Sequence, residues 1–196
     1  MLKSHAWTML TVLLIAACLI VSARPAYRMI KRQYLAMRSA HDWVQWKEGR
    51  KPSQEGDPLA WLSAPDAGLS SLVLMGATAD NMHKWPSLSR VGFLPEEAGL
   101  KLIQAHRDIH FGNLGKLKEG SLIELETVAG KKSYRVSETE ILDTERSTRR
   151  IMESRREDRL VLMTCYPFRY IGPAPQRYLV WAVEEREDIP GVAAMR

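Results

Sequence analysis

Three residues of reactive type lie where the sequence predicts that strands begin or end. Cys165 directly follows the apolar run at residues 160–164, and a proline two positions later ends further strand pairing. His106 follows the alternating run at residues 100–105, and Arg177 opens a later apolar run. If the strands on either side of the intervening loop pair antiparallel, Arg177 returns beside Cys165. We therefore expect the three side chains to meet in one cleft.

These residue types suit nucleophilic catalysis at a thiol. An unperturbed cysteine has a pKa of about 8.5, so only a small fraction is ionised at neutral pH without help from its neighbours. An imidazole can protonate a leaving amine and later deprotonate an incoming one. The planar donors of a guanidinium can hold a carbonyl oxygen that becomes an oxyanion.

Two other interpretations of the same residues stay open. The chain has two cysteines, and because Cys18 lies in a hydrophobic segment, Cys165 has no disulfide partner and could be a buried structural residue. Zinc is a second alternative, since His106 and His110 are four positions apart and could join Cys165 as ligands. No second cysteine or ligand-spaced acid accompanies them, so we expect no metal and no cofactor.

Short apolar runs separated by turn residues predict an all-β domain, a sandwich or a barrel. The runs lie at residues 59–62, 71–75, 100–105, 122–128, 133–137, 160–164 and 178–183. The clearest hairpin joins the fourth and fifth runs through residues 129–132, and its inward positions are Ile123, Leu125, Tyr134 and Val136. The charged segment 143–159 is predicted to be a surface helix or loop, either solvated or in contact with an anionic partner.

The N-terminus predicts a membrane anchor. Residues 6–23 contain no charge, and these eighteen residues reach the lower limit for a membrane-spanning helix. A cleaved signal peptide and a lipoprotein signal at Cys18 are the alternatives to an uncleaved anchor. We divide the chain into a tail (residues 1–5), the span (6–23), a juxtamembrane helix and linker (24–56) and a folded domain (57–196).

Charge does not settle the orientation of this anchor. The formal net charge is +5, and the basic residues that follow the span place the domain in the cytoplasm by the positive-inside rule. The expected chemistry is extracytoplasmic, so we predict a single-pass protein of the cytoplasmic (inner) membrane whose domain faces the periplasm or cell wall. We expect no nucleic-acid partner.

Several motifs resemble those of one known family. The segment His106-Arg107-Asp108-Ile109-His110-Phe111 resembles the His-Arg-Asp-x-His-Phe segment of many sortases, and Leu162-Met163-Thr164-Cys165 resembles their TLxTC signature. Tyr166-Pro167-Phe168 and the later Arg177 resemble most closely the sortases of Gram-negative bacteria. The order and separation of these motifs make the resemblance specific over residues 58–184.

The resemblance implies an eight-stranded β-barrel with short helices that cleaves an LPXTG-like C-terminal sorting signal of a secreted protein and joins it to an amine. Cys165 would attack, His106 would move protons, Arg177 would hold the oxyanion or the substrate, and Thr164 would line the substrate pocket. The acceptor amine is not indicated, and transfer cannot be separated from hydrolysis. The alternative function is a catalytically silent, membrane-anchored β-module that binds a peptide or wall polymer.

Three positions depart from the family pattern. Val161 stands where the signature has threonine, Ala105 precedes the histidine where glycine is common, and Ser121 stands where a strand opens with aspartate. None of these changes removes a reacting group. They bear on peptide specificity.

Overall fold

The computed structural model describes residues 54–185 continuously, together with residues 43–46, 52 and a few positions between 9 and 27. The chain divides into two compact units, Met1–His41 and Asp42–Arg196. Most of the predicted span at residues 6–23 lies outside the described residues. No helix formed by the described residues is long and apolar enough to cross a membrane.

The second unit is a closed barrel of eight strands with short helices, which confirms the fold that the sortase resemblance implies. The strands are β1 (Pro58–Ala64), β2 (Leu69–Met75), β3 (Ser87–Leu88), β4 (Lys101–Gln104), β5 (Leu122–Thr127), β6 (Gly130–Asp143), β7 (Arg159–Tyr166) and β8 (Gln176–Glu184). The helices are α1 (Ala79–Lys84), α2 (Thr144–Glu153) and two 3-10 turns, Pro65–Ala67 and Leu114–Lys116. Around the barrel the strands follow the order β1-β2-β3-β4-β7-β8-β6-β5.

The predicted hairpin is formed by β5 and β6. Ile123, Leu125, Tyr134 and Val136 are all buried in the barrel interior, which confirms the predicted inward face. The turn is shorter than predicted: Thr127 pairs with Gly130, so two residues rather than four connect the strands. Gly130 has a φ of 137°, a conformation that favours glycine.

The charged segment after β6 forms helix α2 on the outside of the barrel. The Asp143 carboxylate caps it by accepting from the Arg146 backbone N–H at 2.8 Å. Ile151 of this helix packs on Trp181, which is fully buried and donates from its indole to Glu140 at 2.8 Å. The Arg150 guanidinium lies 4.4 Å from the Trp181 ring centre, so α2 covers the outer face of β8 through both apolar and cation–π contacts.

Two tryptophans from the predicted linker also belong to the second unit. Trp43 is only 4% exposed and packs with Leu72 and Leu74 on the outer face of β2. The ring of Trp46 stacks on Trp43 with 5.8 Å between the ring centres. Packing of the described residues therefore begins ahead of β1.

A buried lysine lies inside the barrel at the start of β4. The Lys101 side chain has no exposed surface and pairs with Asp158, which is itself half exposed. Burial alone would raise the pKa of Asp158, but the hydrogen bond and charge of Lys101, with a hydrogen bond from Gly99, outweigh it and leave the pKa below its ordinary value. Burial and the charge of Glu184 raise the pKa of Tyr134.

We expect Asp158→Asn to destabilise the barrel at neutral pH by roughly 1–3 kcal/mol, because Lys101 would remain buried without a carboxylate partner. The native pair stabilises fully above the ordinary aspartate pKa of about 3.9, and its contribution is lost as the pH falls through the lower folded-state pKa. Urea unfolding at pH 7 and at pH 3 measures both effects, and the difference in stability between the two proteins should be smaller at the lower pH. Asp108→Asn, at an exposed residue, is the control; an equal loss there would contradict the assignment.

Candidate active site

Strands β4, β7 and β8 are neighbours in the barrel, and all three predicted reactive residues lie at the same end of them. β4 and β7 run parallel, with Gln104 opposite Met163, and the Ala105 backbone N–H continues the ladder by donating to the Met163 carbonyl at 3.3 Å. His106 is one residue further along. The register therefore brings His106 to the level of Cys165 on the adjacent strand, and adjacent strands lie about 4.8 Å apart.

Cys165 and Arg177 are direct cross-strand partners in the antiparallel pair of β7 and β8. The residues beside them, Thr164 and Tyr178, are buried on the inward side. Because side chains alternate along a strand, Cys165 and Arg177 both point to the outer side of the barrel. Both are half-buried, so the thiol is neither sealed in the core nor fully solvated.

The segment that carries His106 is held by backbone hydrogen bonds and by a core residue. The backbone N–H groups of His110 and Phe111 both donate to the His106 carbonyl at 3.0 Å. Phe111 is 1% exposed in the barrel interior and fixes the turn. The imidazole Nε2 is buried and has no hydrogen-bond partner among the described residues.

The Arg177 guanidinium is oriented by the end of the loop before it. Its Nη1 donates to the carbonyl of Ala174 at 3.2 Å and to that of Gln176 at 2.9 Å. Within the described part of the chain, its Nε and Nη2 donate to no acceptor. The guanidinium is thus anchored through one nitrogen and retains donors for a ligand.

Thr164 is buried beside the segment that carries His106. Its side chain is 3% exposed, and its hydroxyl donates to the Ala105 carbonyl at 2.7 Å. That carbonyl belongs to the residue directly before His106. The hydrogen bond thus ties β7 to the residue before His106, and the predicted contact of Thr164 with substrate stays a prediction.

We expect Thr164→Val, which keeps the shape of the side chain, to lower the free energy of unfolding by about 1–2 kcal/mol because the buried Ala105 carbonyl loses its donor. Urea denaturation measures the loss. Thr139→Val, at an exposed threonine, should change stability by less than about 0.5 kcal/mol. Equal effects of the two substitutions would show that the buried hydrogen bond contributes nothing.

Two residues beside the site were not predicted from the sequence. The ring of His83, on α1, stacks on the His106 ring with 4.8 Å between their centres. Arg107, next to His106, hydrogen-bonds the loop between β7 and β8. Arg107 stands in a recognised motif but carried no predicted role, and nothing in the sequence near His83 indicates a contact with His106.

The predicted zinc alternative is not supported by the geometry. Across residues 54–185 and the other described positions, no three His, Cys, Asp or Glu side chains are grouped so that they could hold a metal ion. His110 instead lies beside Trp85, with 5.8 Å between their ring centres.

Comparison with known proteins identifies the family. A family model described as the sortase domain matches residues 62–185, more than half of the chain. The chain belongs to the sortase family. As a sortase it is a cysteine transpeptidase, and sortases act on secreted proteins that carry sorting signals.

Sortases with known names and structures are similar over most of this chain. Sortase D of Bacillus subtilis (strain 168) is 28% identical over 144 residues, covering 74% of this chain and 72% of the relative. A Clostridium perfringens sortase D5 transpeptidase structure superposes with a TM-score of 0.65 at 17% identity, covering 78% of this chain and 99% of that one. The structure of sortase C from Clostridium perfringens SM101 superposes with a TM-score of 0.58 at 23% identity, covering 68% of this chain and 72% of that one.

These sortases come from Gram-positive bacteria. They give no support to the closer resemblance to sortases of Gram-negative bacteria that Tyr166-Pro167-Phe168 indicates. That finer assignment stays a prediction.

Proposed function

We propose that this sortase cleaves an LPXTG-like sorting signal through a thioacyl-enzyme on Cys165. The Cys165 thiolate attacks the threonine carbonyl carbon, and the carbonyl oxygen becomes an oxyanion that the Arg177 donors stabilise. The intermediate collapses as His106 protonates the departing glycine nitrogen. An amine, deprotonated by His106, then attacks the thioester carbonyl, and the thiolate leaves as the new amide forms.

The observation that carries this proposal is the register of three neighbouring strands. Cys165 is opposite Arg177 across β7 and β8, and the β4–β7 ladder brings His106 to the same level. No hydrogen bond joins the His106 Nε2 to the thiol in this structure. Hydrogen bonds of this kind often tighten only when substrate binds, so the open arrangement is compatible with catalysis.

The free donors of Arg177 support its role in particular. One nitrogen is occupied by loop carbonyls, so the guanidinium is held in place before substrate arrives. A donor that is already oriented stabilises developing negative charge without a reorganisation cost at the moment of reaction.

We further propose that residues 6–23 anchor the protein in the cytoplasmic membrane, with the barrel facing the periplasm or cell wall. The support is the uncharged apolar run together with the family's action on secreted proteins. The partners are then a secreted protein with a C-terminal sorting signal and an amine acceptor. Alkaline extraction of membranes from producing cells tests the anchor: recovery of the full chain in the soluble fraction would contradict it.

Mass spectrometry of the full chain, incubated with a library of LPXTG-like peptides, tests the catalytic proposal. We expect an acyl adduct on the peptide containing Cys165 and, after addition of hydroxylamine or triglycine, a transfer product that replaces the hydrolysis product. Failure of every library member to give an adduct would contradict the proposal. An adduct that water alone resolves would indicate a peptidase of the same fold.

A further inference from the structure

A single arginine joins two segments of the active site. Arg107 immediately follows His106, and its Nη2 donates to the carbonyl of Tyr170 at 2.9 Å and to that of Gly172 at 3.2 Å. Both acceptors lie at the tip of the β7–β8 loop (residues 167–175), which runs from the strand of Cys165 to the strand of Arg177. The Arg107 guanidinium also lies 5.9 Å from the Tyr170 ring centre.

An apolar contact joins the same two segments nearer the core. The Phe168 ring of the loop packs against Gly115, so closely that a Cβ at Gly115 would lie 2.7 Å from the ring. Gly115 belongs to the His106 segment (residues 106–117). The loop and the His106 segment are therefore connected at two separated points, one hydrophobic and one through hydrogen bonds.

The loop conformation also determines where the Arg177 guanidinium lies. Gly172, one of the two acceptors of Arg107, has a φ of 95°, so the loop turns at a conformation that favours glycine. Two residues later, the Ala174 carbonyl accepts from Arg177 Nη1. The loop backbone from Gly172 to Ala174 thus connects a carbonyl that Arg107 binds to a carbonyl that the Arg177 guanidinium binds, opposite Cys165.

We propose that Arg107 is a positioning residue that fixes the β7–β8 loop and, through it, holds the Arg177 guanidinium against the Cys165 thiol. The inference rests on the proposed role of Arg177. It assigns Arg107 no contact with substrate, because both of its acceptors are backbone carbonyls of the enzyme. Arginine suits the position because its fork of donors can reach two carbonyls from one nitrogen or from adjacent ones.

Alkylation of Cys165 in the full chain tests the proposal without a peptide substrate. Iodoacetate is anionic and iodoacetamide is neutral, so the ratio of their rates reports a guanidinium held near the sulfur. The rates are read by mass spectrometry on the peptide that contains Cys165, apart from Cys18. We expect Arg107→Ala to lower this ratio about two- to fivefold at 0.15 M salt, where charges beyond about 8 Å are largely screened.

Arg169→Ala is the matched control. Arg169 lies in the same loop, is exposed, and makes no hydrogen bond within the described chain, so its loss removes one positive charge without releasing the loop. We expect its ratio to equal that of the native chain. An equal fall in Arg169→Ala and Arg107→Ala would assign the effect to net charge and overturn the proposal, as would an unchanged ratio in Arg107→Ala.

Two further variants separate positioning from other effects. In an Arg177→Ala background, Arg107→Ala should lower the ratio no further; an additional fall would mean that Arg107 acts through its own charge and overturns the proposal. If Arg107→Ala does not fold, as judged by thermal melting, Arg107→Lys takes its place. We then expect a rate ratio between those of the native chain and Arg177→Ala, and a ratio equal to that of the native chain would contradict the positioning role. An unchanged rate ratio in Arg177→Ala would contradict the proposed role of Arg177 as oxyanion donor. A lower ratio in Arg177→Ala, together with an unchanged ratio in Arg107→Ala, would contradict only the positioning role of Arg107.

Discussion

Cys165→Ala is expected to abolish the acyl-enzyme and to lower kcat/KM by at least about 10³-fold, because loss of the nucleophile leaves only binding and oxyanion stabilisation. The chain should still fold, since Cys165 is half-buried and alanine leaves the backbone pairing of β7 with β8 intact. Single-turnover assays with a reactive library peptide, followed by intact-mass measurement, check both statements.

Cys18→Ala is the control for this substitution. It removes the other cysteine of the chain, which lies in the predicted membrane span, so we expect the adduct and the rate to be unchanged. An adduct of undiminished yield in Cys165→Ala would place the nucleophile elsewhere. Retention of biological function by Cys165→Ala would instead favour the silent binding module.

His106→Ala is expected to lower kcat by about 10²–10⁴-fold, the range typical of losing a general acid and base. KM should change little, because the proton is transferred only as the reaction proceeds. Added imidazole should restore part of the rate, since the imidazole site is vacated beside a thiol that is still present. A steady-state titration with imidazole measures the rescue.

The rescue has an internal control. Imidazole should not restore Cys165→Ala, which retains His106 but lacks the sulfur. Equal stimulation of both variants by imidazole would show general aminolysis or hydrolysis in solution and not replacement of the His106 side chain.

Much of the barrel could be predicted because its strands are short, apolar and separated by turn residues. Each of the seven apolar runs corresponds to a strand, and the alternation in β5 and β6 gave the correct inward face. β3 was missed because a two-residue strand has no periodicity to detect. The β5–β6 turn was placed too late in the sequence because Lys131 and Lys132, two adjacent charged residues, were assigned to the loop. In the structure both pair with residues of β5.

The candidate site was only partly predictable, for a physical reason. Strand ends located Cys165, His106 and Arg177, but their convergence depends on which strands are neighbours, and that follows from the closed barrel. Tertiary contacts with no local signal, such as the stack of His83 on His106, cannot be read from spacing. The family resemblance gave Thr164 a place in the pocket, and strand alternation turns its side chain toward the barrel interior; its contact with substrate stays a prediction.

The parallel ladder between β4 and β7 has a consequence for the time at which the enzyme acquires its activity. Ile103 pairs with Leu162 across a long stretch of intervening chain, and closing such a loop is among the slower steps of folding. Before that closure, the Cys165 sulfur lacks His106 as a neighbour, whereas Arg177 is brought opposite it by the local β7–β8 hairpin. We therefore expect formation of the β4–β7 pair to be the folding step that completes the proposed site.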